Sequence, residues 1–118
     1  MTFKDLHSYE DRLNESQRIR EKFPGRIPVI VERSGNSGVA IGTIDKNKFL
    51  VPGDLTVSQF VFIIRKRLSM PSEQALFVFV DDTLPTTGTL LRELYVMFKD
   101  HDGFLYMKYS GENTFGTL

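Results

Sequence analysis

The sequence predicts an α+β fold: a four-stranded mixed sheet packed on helices, with two additional helices at the N-terminus. Three observations carry this. Four short runs, RIPVIVER, KFLVP, ALFVFV and FLYMKYS, are β-branched, aromatic or alternating, and Pro or Gly punctuates the chain between them. Two intervening stretches, TVSQFVFIIRKRL and TLLRELYVMF, carry apolar residues at helical spacing. Ahead of them all, YEDRLNESQRIREKF is densely charged and sparsely apolar.

Residues 3–8 and 10–22 read as helices. The second has only Leu13 and Ile19 for a narrow apolar stripe, so it is a solvated helix, stopped by Pro24 and Gly25. IPVIVER is a strand with Pro28 near its start. SGNSGVAIGT is a glycine-rich connection, and KFLVP is a second strand closed by Pro52-Gly53, so the pair suggests a hairpin. Thr56 is placed to cap the next helix, in which Val57, Phe60, Val61, Ile64 and Leu68 share a face. Arg65, Lys66 and Arg67 fall in its last turn, where cations favour the helix dipole. ALFVFV is a buried-type strand and DDTLP turns the chain. Leu91, Leu94, Tyr95 and Phe98 line one face of the last helix; HDG turns again, and FLYMKYS is the final strand. After the leading helices the order is ββαβαβ. The last strand must bury its apolar face beside the first, which gives a mixed sheet wrapped on one main helix. That is the β-grasp, or ubiquitin-like, architecture. At 118 residues one domain is expected, with a helical extension over 1–22, a ubiquitin-like core over 26–109 and a flexible tail over 110–118.

Composition excludes several chemistries. The absence of cysteine removes disulfides, a thiol nucleophile and thiolate metal sites. The start MTFKDLHSYED has no apolar h-region, so no signal peptide is expected, and the apolar runs are too short to span a bilayer. His7 and His101 are far apart, in polar turns. KDHDG resembles a calcium-loop fragment, but setting Gly103 at the loop's glycine position places Phe98 and Tyr109 where acids belong. Asp81-Asp82 reads as a turn pair, and GNSGVAIG lacks the spacing and following helix of a phosphate loop. No catalytic constellation, metal site or cofactor is implied. Formal net charge is zero, yet five Lys/Arg face two Asp between Asp45 and Arg67. A neutral chain with a basic middle is a poor nucleic-acid binder but can draw a short acidic segment to one place.

Two features stay open on sequence grounds. Lys46 and Lys48 flank a short strand ending in proline, either as charges that blunt a sheet edge or as part of an edge left open for peptide addition. Alternation puts Lys48, Leu50 and Pro52 on one face of that strand and Phe49 and Val51 on the other. The tail SGENTFGTL is either slack or a means of presenting Gly116, whose missing side chain lets its carbonyl be closely approached.

RIPVIVER, DKNKFLVPGDLTVSQFVFIIRKRL, ALFVFV and DGFLYMKYSGENTFG together resemble the autophagy-related ubiquitin-like modifiers, the GABARAP and microtubule-associated light-chain-three family, from about Phe3 to Gly116. The resemblance implies a modifier rather than an enzyme. A cysteine protease would remove Thr117 and Leu118 with Phe115 as a grip; activating and conjugating enzymes would then join Gly116 to phosphatidylethanolamine. It implies a cytoplasmic protein, monomeric in solution, that becomes peripheral on autophagosomal membranes and recruits cargo receptors and adaptors. Their aromatic-x-x-aliphatic motifs would add a strand to the second strand. The aromatic pocket corresponds to Glu15, Ile19, Pro28, Lys48, Leu50 and Phe104. The aliphatic pocket corresponds to Phe49, Val51, Pro52, Leu55, Phe60 and Ile63. Arg26, Lys46, Lys48 and Arg67 would meet acidic flanking residues, and Phe77 and Phe79 correspond to a second surface. The chain departs from the family pattern in a longer Ser34–Thr43 loop, in Asn47, in Gly53 and in Thr86-Thr87-Gly88.

Overall fold

The structure, a computed structural model, describes residues 1–35 and 41–112. Two helices lead: α1 (Phe3–Leu6) and α2 (Tyr9–Lys22). Then come β1 (Arg26–Arg33), β2 (Lys48–Pro52), α3 (Val57–Arg67), β3 (Phe77–Phe79), α4 (Leu91–Phe98) and β4 (Leu105–Ser110). The sheet order is β2-β1-β4-β3. β1 pairs antiparallel with β2 and parallel with β4, and β4 pairs antiparallel with β3. The expected placement of the last strand beside the first is therefore found, and the sheet is mixed.

α1, α2 and α3 each begin where the sequence supplies a side-chain cap. Thr2 and Thr56 accept from the backbone N–H three residues on, and Asp5 and Gln59 answer by accepting from the cap N–H. Ser8 caps α2 in the same way, so the leading helices break at His7-Ser8 rather than after residue 8. The first-turn donors of α3 are fully spoken for: Val57 N–H donates to Thr89 C=O and Ser58 N–H to Thr87 C=O. The Thr86-Thr87-Gly88 departure thus falls in a loop that caps the main helix. Gly53 is buried, and a Cβ there would lie 3.2 Å from the Arg92 Cβ, which explains a glycine at this crossing. β3 is only three residues long, because Asp81 and Asp82 both take positive φ (51° and 61°) in a two-residue hairpin closed by reciprocal Val80 and Thr83 bonds.

The sheet is covered on both faces. Ile27, Val29 and Val31 of β1, Phe49 and Val51 of β2, and Leu105, Met107 and Tyr109 of β4 point to α3 and α4, meeting Phe60, Ile64, Leu91 and Leu94. On the opposite face Ile30 joins Phe104 and Phe3, with Ile19 and Tyr106 packed at the margin. The far limb of the β1–β2 connection is held by Tyr109, whose hydroxyl donates to Gly42 C=O and accepts from Ile44 N–H. The rest of the Ser34–Thr43 loop lies partly outside the described residues. Positive φ at Asp82 costs an L-residue conformational energy that glycine does not incur, so Asp82→Gly is expected to raise stability by about 0.5–1 kcal/mol in urea unfolding.

Candidate functional site: the β2 edge and the helices that flank it

β2 is the outer strand on its side of the sheet. Its burial alternates as the sequence predicts: Phe49 and Val51 are buried, Lys48 and Leu50 half-buried and Pro52 exposed. On the α2 side, the residues assigned to the aromatic pocket come together. Pro28 sits opposite Leu50, and Lys48 forms an ion pair with Glu15. Ile19 packs on the cluster containing Phe104. Phe104 itself is fully buried, with Phe3 edge-on at 5.3 Å, so it is sealed beneath α1 rather than open to the surface.

The residues assigned to the aliphatic pocket divide. Phe49, Val51 and Phe60 are core residues, with the two phenylalanine rings 5.6 Å apart and perpendicular. Leu55 is half-buried against the same core, whereas Pro52 is exposed and Ile63 is 36% exposed. Pro52 and Ile63 therefore carry most of the accessible area, and the three core residues lie beneath. On the second surface, Phe79 is only 2% exposed and Phe77 half-buried, so Phe77 alone of the pair keeps appreciable surface. Burial corrects the expectation for Phe79. Phe115, Gly116, Thr117 and Leu118 lie outside the described residues.

The four cations assigned to acidic flanks all touch their own chain. Lys48 pairs with Glu15, and Arg67 approaches Asp45 at 3.5 Å. Lys46 lies 5.2 Å from the centre of the Phe49 ring, and Arg26 donates to the Leu50 carbonyl at 3.1 Å. The exposed Arg67–Asp45 pair is worth little and exchanges readily for a better acceptor.

Sequence reasoning missed what holds α1 and α2 against the site. The KDHDG segment, read as a plain turn, is their anchor. The Asp102 carboxylate is fully buried and receives the Arg12 guanidinium at 2.6 Å, the Tyr106 hydroxyl at 2.5 Å and the Phe104 N–H at 2.9 Å. Ser16 donates to the Asp102 carbonyl and Tyr9 to that of His101. Tyr95 of α4 donates to the Gly103 carbonyl at 2.7 Å, and Arg20 of α2 lies over the Tyr95 ring. Gly103 has φ 91°, and a Cβ on it would collide with the Ser16 hydroxyl. Burial, and next the bond to Asp102, push the Tyr106 phenol well above its ordinary value, so it remains a neutral donor. At α1, Phe3 N–H donates to Glu32 at 2.6 Å, and Lys4 reaches Asp100 at 2.7 Å. Among the described residues no group of three or more His, Cys, Asp or Glu is placed to hold a metal, and no helix is long and apolar enough to cross a membrane.

Burial works against the Asp100 charge, but Lys4 and the Asp102 N–H outweigh it and hold its pKa below the ordinary 3.8. A lowered acid contributes stability above its unfolded pKa and loses it as pH falls through the folded value. Lys4→Met is therefore expected to destabilise the protein at neutral pH, with the difference from wild type shrinking as pH falls below about 4 in urea titrations. Asp102→Ala removes the acceptor of three buried or half-buried donors and is expected to cost about 3 kcal/mol, with loss of amide protection in α2.

The family model described as "Autophagy protein Atg8 ubiquitin like" matches residues 11–116. Autophagy-related protein 8a of Arabidopsis thaliana is 58% identical over 117 residues, covering 99% of this chain and 94% of that protein. The crystal structure of Trypanosoma brucei ATG8 superposes with a TM-score of 0.88 at 47% identity, covering 98% of each chain. Plasmodium falciparum Atg8, solved in complex with a Plasmodium falciparum Atg3 peptide, gives 0.86 at 40% identity, covering 95% of this chain and 97% of that one. A family match over most of the chain, high identity across its length and the same ubiquitin-like fold lead to one conclusion: this chain belongs to the Atg8 family of ubiquitin-like autophagy proteins.

Proposed function

We propose that this protein is a ubiquitin-like modifier of autophagy, without catalytic activity of its own. A cysteine protease trims it to Gly116, and activating and conjugating enzymes join Gly116 to phosphatidylethanolamine. It is cytoplasmic before conjugation and peripheral on autophagosomal membranes afterwards. There its β2 edge takes up aromatic-x-x-aliphatic segments of cargo receptors, adaptors and the conjugation machinery. The observation that carries the reading is an outer strand, β2, with half-buried Lys48 and Leu50 on one face and an apolar core on the other. A family relative solved with a peptide supports it. Glu15, Ile19, Pro28, Lys48 and Leu50 are the proposed walls for the aromatic residue, with buried Phe104 supporting Ile19 from beneath. Leu55, Pro52 and Ile63, over Phe49, Val51 and Phe60, are proposed for the aliphatic one.

An extra strand supplies main-chain bonds, and each buried anchor adds roughly 1.5–3 kcal/mol before ordering costs. Because Phe49 supports the core, the clean test of the edge is Leu50→Ala with Ile63→Ala. This variant is expected to keep its fold and to lower affinity for an aromatic-x-x-aliphatic peptide at least about tenfold by calorimetric titration; undiminished binding would end the edge reading. For the tail, intact mass is measured on protein recovered from its own cells, soluble and membrane fractions separately. Wild type is expected to end at Gly116 and to carry phosphatidylethanolamine in the membrane fraction, while Gly116→Ala gains no lipid. A single unprocessed species in both fractions would make the protein an adaptor that is never conjugated.

A further inference from the structure

Pairing parity decides which backbone groups of β2 are available. Val31 N–H donates to Asn47 C=O at 2.7 Å, and Gly53 N–H donates to Gly25 C=O at 3.1 Å. Counting in twos through the register, Val29↔Phe49 and Ile27↔Val51 are the hydrogen-bonded pairs. Ile30↔Lys48 and Pro28↔Leu50 are the pairs between them. The N–H and C=O groups of Lys48 and Leu50 therefore face away from β1, and these are the groups that an added strand would use. One of them is already taken: the Leu50 carbonyl accepts from Arg26 Nη1 at 3.1 Å. Arg26 starts β1 opposite Pro52, so by alternation its side chain leaves the sheet on the same face as Leu50 and Pro52.

We propose that Arg26 is a selectivity residue for this edge: it caps the outward Leu50 carbonyl in the free protein and yields that position more readily to a strand that offers the guanidinium a new acceptor. The proposal rests on the reading of β2 as a peptide-docking edge and adds a cost that strand addition alone does not contain. An incoming N–H competes with a charge-assisted bond for the Leu50 carbonyl oxygen. A peptide with Asp or Glu beside its core motif re-partners the guanidinium with a carboxylate, to which it can bond bidentately. A peptide with neutral flanks leaves it to water. Arg26 thus acts twice, as a barrier to neutral strands and as an attraction for acidic ones. Lys46, Lys48 and Arg67 contribute attraction alone, since none of them bonds an outward β2 backbone group among the described contacts.

The two roles separate in one experiment. Wild type and Arg26→Met are titrated calorimetrically, at fixed ionic strength, with two peptides sharing one aromatic-x-x-aliphatic core. One is flanked by Asp and Glu, the other by Ser and Gly. Loss of the cap is expected to tighten the neutral peptide about threefold, while the acidic peptide weakens, so the preference between them narrows. The Leu50 carbonyl 13C shift in free Arg26→Met is expected to move, which reports the cap directly. Unchanged or weaker binding of the neutral peptide to Arg26→Met, with wild type binding both, overturns the cap and leaves the edge reading standing. Failure of both peptides to bind wild type overturns the edge reading and the cap with it.

Discussion

β1 is apolar on both faces, and most of the architecture follows from covering it twice. Ile27, Val29 and Val31 demand one cover; Pro28 and Ile30 demand another. Its two lateral neighbours, β2 and β4, satisfy its backbone but not its side chains. α3 and α4 supply the first cover from within the ββαβαβ core. Nothing in that core remains for the second, and the N-terminal helices supply it. The proposed docking groove is a by-product of this arrangement: it runs along the side of the sheet where the second cover ends and β2 has no further strand to meet.

The two covers are held by different forces. α3 and α4 are held by burial of large side chains, with Phe60, Ile64, Leu91 and Leu94 almost wholly removed from water. Each contributes roughly 1.5–3 kcal/mol, without much regard to direction. α2 presents Ser16 as its one buried residue, so it cannot be held that way. It is positioned by directional bonds converging on residues 100–104. A buried carboxylate is a weak source of net stability but a strong constraint on geometry, because each donor must arrive from a fixed direction. Glu15, paired with Lys48 of β2, and Ile19, packed on the Phe104 cluster, take their positions from this anchor.

Much of the fold was legible because its signals are local. The Thr56 cap, the Phe60–Ile64 face of α3 and the alternation of KFLVP all predicted burial that the structure contains. The grouping of Glu15, Ile19, Pro28, Lys48 and Leu50 was accessible only through resemblance, since these residues come from three elements. Two matters were not legible. Phe77 and Phe79 alternate with Val78 and Val80 in an unbroken apolar run, which by itself does not say how much of each face is covered. Asp102 sits among polar turn residues, and its partners Arg12 and Ser16 are about ninety positions away. The only local cue was Gly103, whose positive φ and crowding against Ser16 mark a close approach that a surface turn does not need.

That sequence separation bears on the order in which the molecule can assemble. During synthesis α1 and α2 emerge long before their docking surface, residues 95–106. The Lys4–Asp100, Arg12–Asp102 and Ser16–Asp102 contacts close loops of 96, 90 and 86 residues. Such closures come late when local contacts are available earlier. The β1–β2 hairpin and α3 can form while the leading helices are still unpartnered. Ile30 and the half-built second face are then exposed until β4 adds beside β1 and brings the turn with it. Until then the sheet has one cover at most, and β4 delivers the latch for α1 and α2.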